Sequence, residues 1–498
     1  MNHKTFSPKS KKNNSIFFVI VFWGFFSLFN FSFAWDIVAP GMEYQQFTLS
    51  GPVNVFVVRA SRANPNLVID SMISQGKIRT GLETVRNMAN RYEGYVNYSK
   101  EQYDVVAAIN GDYFSYSTNY PSQGQVISGN FVDRYPNYGG TGIFGWKRDG
   151  SVFVDANIVN TGINRQYIKF ENEEQYELTE LNMARGANQL ILYTPQFDNR
   201  TYTDNAGTEL LVKISNLPLY LEQDTTGTIT EKHINQGSTW IPFDCVVVSG
   251  NGTAATPLNN HNVGEVVIVR LRVKSYGDYT GGTEPGRNWE YAYASVGGAG
   301  WIVKSGVVPS DDWANDAGAI IHDPRTATAF NEDYIYFVVV DGRTGISIGM
   351  TFTELGNFCL NYLQADHAVT LDGGGSSTMV VNGMVKNHPS DNGTERAVSN
   401  GLMMALVSPA PISMQFRTGD RVGTFALTNL YLGPGTNYGI VATAPSSQGG
   451  GIVEHSFNGV YAKGNYWWKW KFGDTEGWSA ESSLMSISNV SGKWGEYY

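Results

Sequence analysis

Cysteine is nearly absent. The 498 residues contain two, Cys245 and Cys359, so a fold stapled by disulfides is excluded and the core must be hydrophobic. One lies in an apolar strand-like run (FDCVVVSG) and the other on an amphipathic helix. Pairing in an oxidising compartment and burial as two thiols both remain open, and neither cysteine has a neighbouring histidine that would mark a nucleophile. Positive charge is also scarce. Lys and Arg number 35 against 45 Asp and Glu, a formal net charge of −10, which argues against nucleic acid or an anionic membrane as the main partner. Seven histidines argue against zinc. There is no HExxH, no P-loop and no GxGxxG opening a helix. The one long apolar run, Ile16–Phe31, follows Lys4, Lys9, Lys11 and Lys12 and precedes Ser32-Phe33-Ala34. It is shorter than the roughly 20 residues of a spanning helix. Residues 1–34 therefore read as a signal peptide cleaved before Trp35, with a retained anchor as the alternative. The expected location is secreted, periplasmic or cell-surface, with no membrane span after cleavage.

Glycine (55 residues) and aromatics (13%) are plentiful, the mix that many short strands and tight turns produce. VNVFVVRA, LVIDSMI, DVVAAIN, ELLVKI, EVVIVRLRV, HAVTLD and GLMMALVS read as strands. Two segments read as helices opened by capping boxes. Thr80 and Glu83 precede an apolar face of Leu82, Val85, Met88, Ala89 and Tyr92, and Thr351 and Glu354 precede Leu355, Phe358, Cys359, Tyr362 and Leu363. Pro409-Ala410-Pro411 reads as a linker, after which an aromatic, turn-dense tail reads as a small β-barrel.

Chemistry concentrates at strand ends. Asn110, Asp112, Arg325, Asp341, Arg343, Asp372, Ser376 and Ser377 each sit at or beside the end of an apolar strand, where sites are grafted onto a rigid scaffold. Leu371–Thr378 (LDGGGSST) is the most pointed of these. Its serine is no nucleophile elbow: Thr378 stands where glycine is required, and a strand rather than a helix follows. Gly373, Gly374 and Gly375 let backbone N–H groups approach a ligand closely. Carboxylates at such ends suit acid/base or nucleophilic work on a glycosidic bond, and arginines suit an anionic substrate. Asp372 leads the catalytic candidates, Asp341 follows, and Glu354 is a third whose spacing fits a helix cap better than a catalyst. Asp112 could equally cap the turn after DVVAAIN. His322 and Asp323 read as a surface turn, and His388 as a loop residue.

These residues carry a resemblance. NGDYF (110–114), SVGGAG (295–300), Pro324-Arg325-Thr326, Asp341–Arg343, LDGGGSST and ERAVSN (395–400) resemble, in order, the motifs of the phosphodiester glycosidase family, over about residues 50–408. The resemblance implies an α+β fold, a mixed, strand-rich catalytic domain with helices packed on the sheet. It also implies hydrolysis of a sugar-1-phosphodiester. On that reading Asn110, Asp112, Arg325, Thr326, Arg343, Gly373–Gly375, Ser376, Ser377 and Arg396 contact substrate. LYLGPGTNYGI (430–440), YWWKW (466–470) and TEGWSAESSL (475–484) resemble a bacterial SH3-like domain. That implies an all-β barrel over 421–490 behind a linker at 409–420, and a cell-wall partner. No cofactor is required by this reading, although the acidic turns could accept Ca²⁺ or Mg²⁺, which leaves a metal-dependent phosphodiesterase as one alternative. A non-catalytic cell-wall or glycan-binding protein is another.

Overall fold

The computed structural model describes residues 1, 35–136, 142–162, 164–277, 287–309, 313 and 316–487; the expected signal peptide lies outside them. Two units separate, Met1–Ala34 and Trp35–Tyr498, and everything below concerns the second. It is strand-rich, 46% strand and 9% helix. No helix of the described residues is long and apolar enough to cross a membrane.

Five sheets account for the strands described. The one that matters most has seven strands. Val53–Ser61 pairs with Tyr334–Val340, which pairs with Arg325–Phe330, then His367–Thr370, then Gly300–Val303 at the edge. VNVFVVRA is a near-continuous apolar run, so side chains that alternate between the two faces are apolar on both, and both faces of this strand are buried. Val55 and Val57 point to one core, Phe56 and Val58 to another. The first core is closed by the helix Phe352–Leu363, which contributes Leu355, Phe358, Cys359 and Leu363. The second is shared with a five-stranded sheet, in which Glu101–Asn110 lies between Met379–Val381 and Asn400–Pro409. Each fully buried Val or Phe in these layers contributes roughly 1.5–3 kcal/mol.

The Thr351 box forms as the spacing implies. The Thr351 hydroxyl accepts from the Glu354 N–H at 3.2 Å, and Glu354 Oε2 accepts from the Thr351 N–H at 2.8 Å. The Thr80 box does not form. Thr80 ends a short 3-10 turn, and the helix runs Val85–Tyr92 with Thr84 as its cap. Gly81, at φ +117°, turns the chain out of helical geometry, and the Glu83 N–H bonds to the Val398 carbonyl. The Glu83 carboxylate meets Arg91 instead. Val85, Met88, Ala89 and Tyr92 do bury as one face. Both cysteines are buried free thiols.

Residues 164–277 supply all the strands of an eight-stranded sheet, and residues 421–486 form a separate antiparallel sheet. The strand Asn400–Pro409 runs straight into Ala410, which is buried with Phe243, Phe457, Trp467 and Trp478.

Candidate active site

The turn LDGGGSST is the crossover between two sheets. The strand before it, His367–Thr370, belongs to the seven-stranded sheet, and the strand after it, Met379–Val381, to the five-stranded one. A crossover there leaves peptide groups without ladder partners, and they must be satisfied otherwise. Asn110, fully buried at the end of Glu101–Asn110, does this. Its Nδ2 donates to the Asp372 carbonyl at 2.7 Å, and its Oδ1 accepts from Thr326 Oγ1 at 2.8 Å and from the Thr378 N–H at 3.1 Å. The Asp372 N–H donates to the Gly111 carbonyl at 2.9 Å. Three strands are thus stitched behind Asp372. Asn110→Ala strands these buried groups at a cost of about 3 kcal/mol, measurable as a lower denaturation midpoint.

The three glycines have a shared reason. A Cβ on Gly373 would lie 2.8 Å from the Pro324 carbonyl oxygen, one on Gly374 3.0 Å from Arg343 Nη2, and one on Gly375 2.0 Å from Arg396 Nη2. Two guanidinium groups therefore lie down on the turn, and Gly374 also needs its φ of +60°. Each arginine is oriented by an aspartate fork. Arg343 donates from Nε and Nη2 to Asp323 at 2.6 and 2.9 Å. Arg396 donates from the same atoms to Asp391 at 2.9 and 3.1 Å. Arg325 is buried, with Nε on the Met350 carbonyl and Nη2 on the carbonyls of Gly318 and Ile321, all at 2.7 Å. In all three, Nη1 makes no hydrogen bond among the described residues.

Two carboxyl groups face this edge. Burial raises the Asp372 carboxyl to about 6, against the Ser376 hydroxyl, the Gly373 N–H and the Arg396 charge, which favour its ionised form. Burial raises Asp112 to about 8. The Gln123 and Tyr113 N–H groups oppose this rise, and the Asp372 charge adds to it. Asp112 is 1% exposed. Its N–H donates to Asn400 Oδ1 at 2.8 Å and its Oδ2 accepts from the Gln123 N–H at 2.6 Å, while Oδ1 is buried without a partner among the described residues. The hydroxyls of Ser377 and Thr378 are likewise buried and unpartnered among the described residues. Tyr113, 40% exposed, stands at the rim within the fields of Asp372, Arg325 and Asp112.

Two expected catalysts are placed elsewhere. Asp341 lies behind the turn, its Oδ1 accepting from Asn387 Nδ2 at 3.1 Å and the His388 N–H at 3.0 Å, while Asn387 also donates to the Ser377 carbonyl at 2.9 Å. It braces the turn through Asn387. Glu354 spends its carboxylate on the helix cap and on His322 at 3.0 Å, because the N-terminus of a helix holds an acid strongly. The sequence reading passed over Asn387, Gln123 and Asp391, and gave Asp323 to a surface turn. Their only signal is an amide or acid in a loop, which no spacing rule distinguishes. Among the described residues no three His, Cys, Asp or Glu side chains converge to hold a metal ion.

Residues 225–405 match the phosphodiester glycosidase family. That span carries the arginines and the glycine turn, while Asn110 and Asp112 precede it and reach the site through the five-stranded sheet. No curated protein matches the chain significantly. Among solved structures, similarity extends to a hypothetical protein of Synechocystis (17% identity, 74% of this chain and 62% of that one, TM-score 0.49). It extends also to a Burkholderia pseudomallei protein described as exported (19% identity, 71% and 74%, TM-score 0.49). A third is the zebrafish N-acetylglucosamine-1-phosphodiester alpha-N-acetylglucosaminidase catalytic domain, auto-inhibited by its pro-peptide (15% identity, 74% and 84%, TM-score 0.37). The chain thus spans less than two thirds of the length of the Synechocystis protein.

Proposed function

We propose that this protein is an exported hydrolase that cleaves the glycosidic bond of a sugar-1-phosphodiester. The observation that carries the reading is the meeting, at one glycine turn, of the Arg343 and Arg396 guanidinium groups with the half-buried Asp372 and the buried Asp112, two carboxyl groups whose proton affinities are raised unequally. The match of residues 225–405 supports the same reaction class.

The chemistry follows from the leaving group. Breaking the C1–O bond releases a phosphate monoester, which departs as an anion and needs little proton assistance. What it needs is charge stabilisation, and Arg325, Arg343 and Arg396 supply it. Asp372, ionised above about pH 6, acts at the anomeric carbon as nucleophile or as base to a water. Asp112, neutral up to about pH 8, donates from its unpartnered oxygen to the sugar or phosphate without repelling the anion, as a carboxylic acid kept neutral by its surroundings can. The backbone of Gly373–Gly375 and the hydroxyls of Ser376 and Ser377 orient the substrate, with Thr326 beneath them.

The test is release of free sugar from N-acetylglucosamine-1-phosphate diesterified to mannose. Turnover by the wild type supports the reading, and none over pH 5–9 overturns it. Gly375→Ala adds a methyl where Arg396 lies and displaces a flexible side chain rather than backbone. The expected effect is a KM raised roughly tenfold, the worth of one charge-assisted hydrogen bond, with the melting temperature little changed.

On the same reading residues 50–408 are the catalytic domain, 409–420 a linker and 421–490 an SH3-like domain. The natural substrate is then a cell-wall or surface glycopolymer with phosphodiester links, held near the enzyme by the C-terminal part.

A further inference from the structure

A cleft of about 780 Å³ opens where the C-terminal sheet meets the outer face of the eight-stranded sheet, and it shares no residue with the candidate active site. Its size falls within the range of about 300–1,000 Å³ usual for ligand sites. Its floor comes from the strands Thr208–Ile214 and Asp224–Ile234, one side from Gly237–Trp240, and the far wall from Tyr431, Lys469 and Thr475–Trp478.

The walls are fixed. Phe243 lies among Tyr98, Tyr438, His455, Phe457 and Trp478, ring centroids 5.4–6.3 Å apart. Asp244 and His455, 9% and 6% exposed, pair across the junction at 3.0 Å. The Phe243 N–H donates to the Leu432 carbonyl at 3.3 Å. Gly439 approaches Asn199 so closely that a Cβ would lie 2.2 Å from it. The cleft is therefore a built feature of the fold rather than a gap between parts that merely touch.

Its lining indicates what fits. Groups of both signs are interspersed: Lys469 lies 3.3 Å from Glu476 and Lys213 4.0 Å from Asp244, and the His233 ring shares a hydrogen bond with Glu231 at 2.9 Å. With Arg200 and Asp474 the lining holds three cationic and four acidic side chains, so neither sign dominates, and they offer many donors and acceptors. Trp240 borders the cleft with the Arg200 guanidinium 3.5 Å from its ring centre, and Arg200 is pinned by donation from Nη1 to the Ser238 carbonyl at 2.9 Å. A ring held in place at no further entropic cost is suited to stacking against a flat apolar face. The floor strand Thr208–Ile214, which carries Leu211 and Lys213, is paired on both sides, so recognition over it is by side chains rather than by strand addition. Alternating apolar faces and uncharged hydroxyls describe a carbohydrate.

We infer that this cleft binds an uncharged oligosaccharide of a few rings, independently of the hydrolytic site. The inference goes beyond the proposed reaction and stands without it. The experiment is calorimetric titration of the whole chain with two neutral hexamers, β-1,4-linked N-acetylglucosamine and α-1,4-linked glucose, and with tetra-alanine. Saturable binding of at least one hexamer is expected, weakened at least tenfold by Trp240→Ala and, with no core residue touched, by Lys469→Ala. Asp372→Asn is expected to bind as the wild type. Binding of neither hexamer, binding of the peptide alone, wild-type affinity in both cleft variants, or loss of binding in Asp372→Asn each overturns the assignment.

Discussion

Asp372→Asn is expected to lower turnover of a sugar-1-phosphodiester by on the order of 10³-fold, the usual worth of a positioned acid, base or nucleophile, with KM nearly unchanged. The substitution keeps the size of the side chain and leaves the Asp372 main chain bonded to Asn110 and Gly111 as before, so the fold is retained. Circular dichroism and the melting curve check that. If the variant turns over at the wild-type rate, Asp372 is not the group that acts at the anomeric carbon. The acid limb of the wild-type pH profile carries the same information. Activity requires the ionised carboxylate, so it should fall as pH drops through about 6, and the residual activity of the variant should lack this acid limb.

The second large effect separates two roles for Asp112. If its task is to donate a hydrogen bond as a neutral acid, asparagine can replace it, because an amide of the same shape still donates. Asp112→Asn should then keep activity near pH 7 within about tenfold and lose the alkaline limb near pH 8. Asp112→Ala should lose on the order of 10²-fold. A proton-transferring acid would instead be disabled by both. Stability moves the other way. The folded-state affinity for the proton is raised above that of the unfolded chain. The stability associated with the protonated group is thus complete below about pH 4 and declines as pH rises through about 8. Asparagine carries no such penalty. The variant should therefore be more stable than the wild type at neutral pH by a few kcal/mol at most, with the difference growing between about pH 4 and 8. Denaturation at pH 4, 7 and 9 measures this. A gain in stability from a change at a buried carboxyl is the pattern of a site whose chemistry is held at the expense of folding.

Much of the chain was legible in one dimension. VNVFVVRA and HAVTLD are buried strands because continuous β-branched runs can be shielded only in a sheet covered on both faces. The Thr351–Glu354 cap formed because its partners are three residues apart and no distant group competes. The Thr80–Glu83 pair has the same spacing and failed because Glu83 had two distant partners, the Val398 carbonyl through its N–H and Arg91 through its carboxylate. Glu354 is a sound helix-cap residue, and its carboxylate is engaged there and on His322.

The sequence by itself determined the strand-rich class and the scarcity of cysteine, and it set the polar residues of Leu371–Thr378, Asp372 among them, at the end of an apolar strand. These follow from composition and from residues close together in the chain. Only the tertiary structure placed Asp112, 260 positions before Asp372 in the numbering, within the field of Asp372, set Asp341 on Asn387 behind the turn, and brought Pro324, Arg343 and Arg396 from distant loops against the three glycines. Such pairings rest on which two sheets share a core. That is set by the packing of Phe56, Val58, Ile109 and Met404 in one cluster, and no local pattern encodes it, because burial rewards any apolar face that fits.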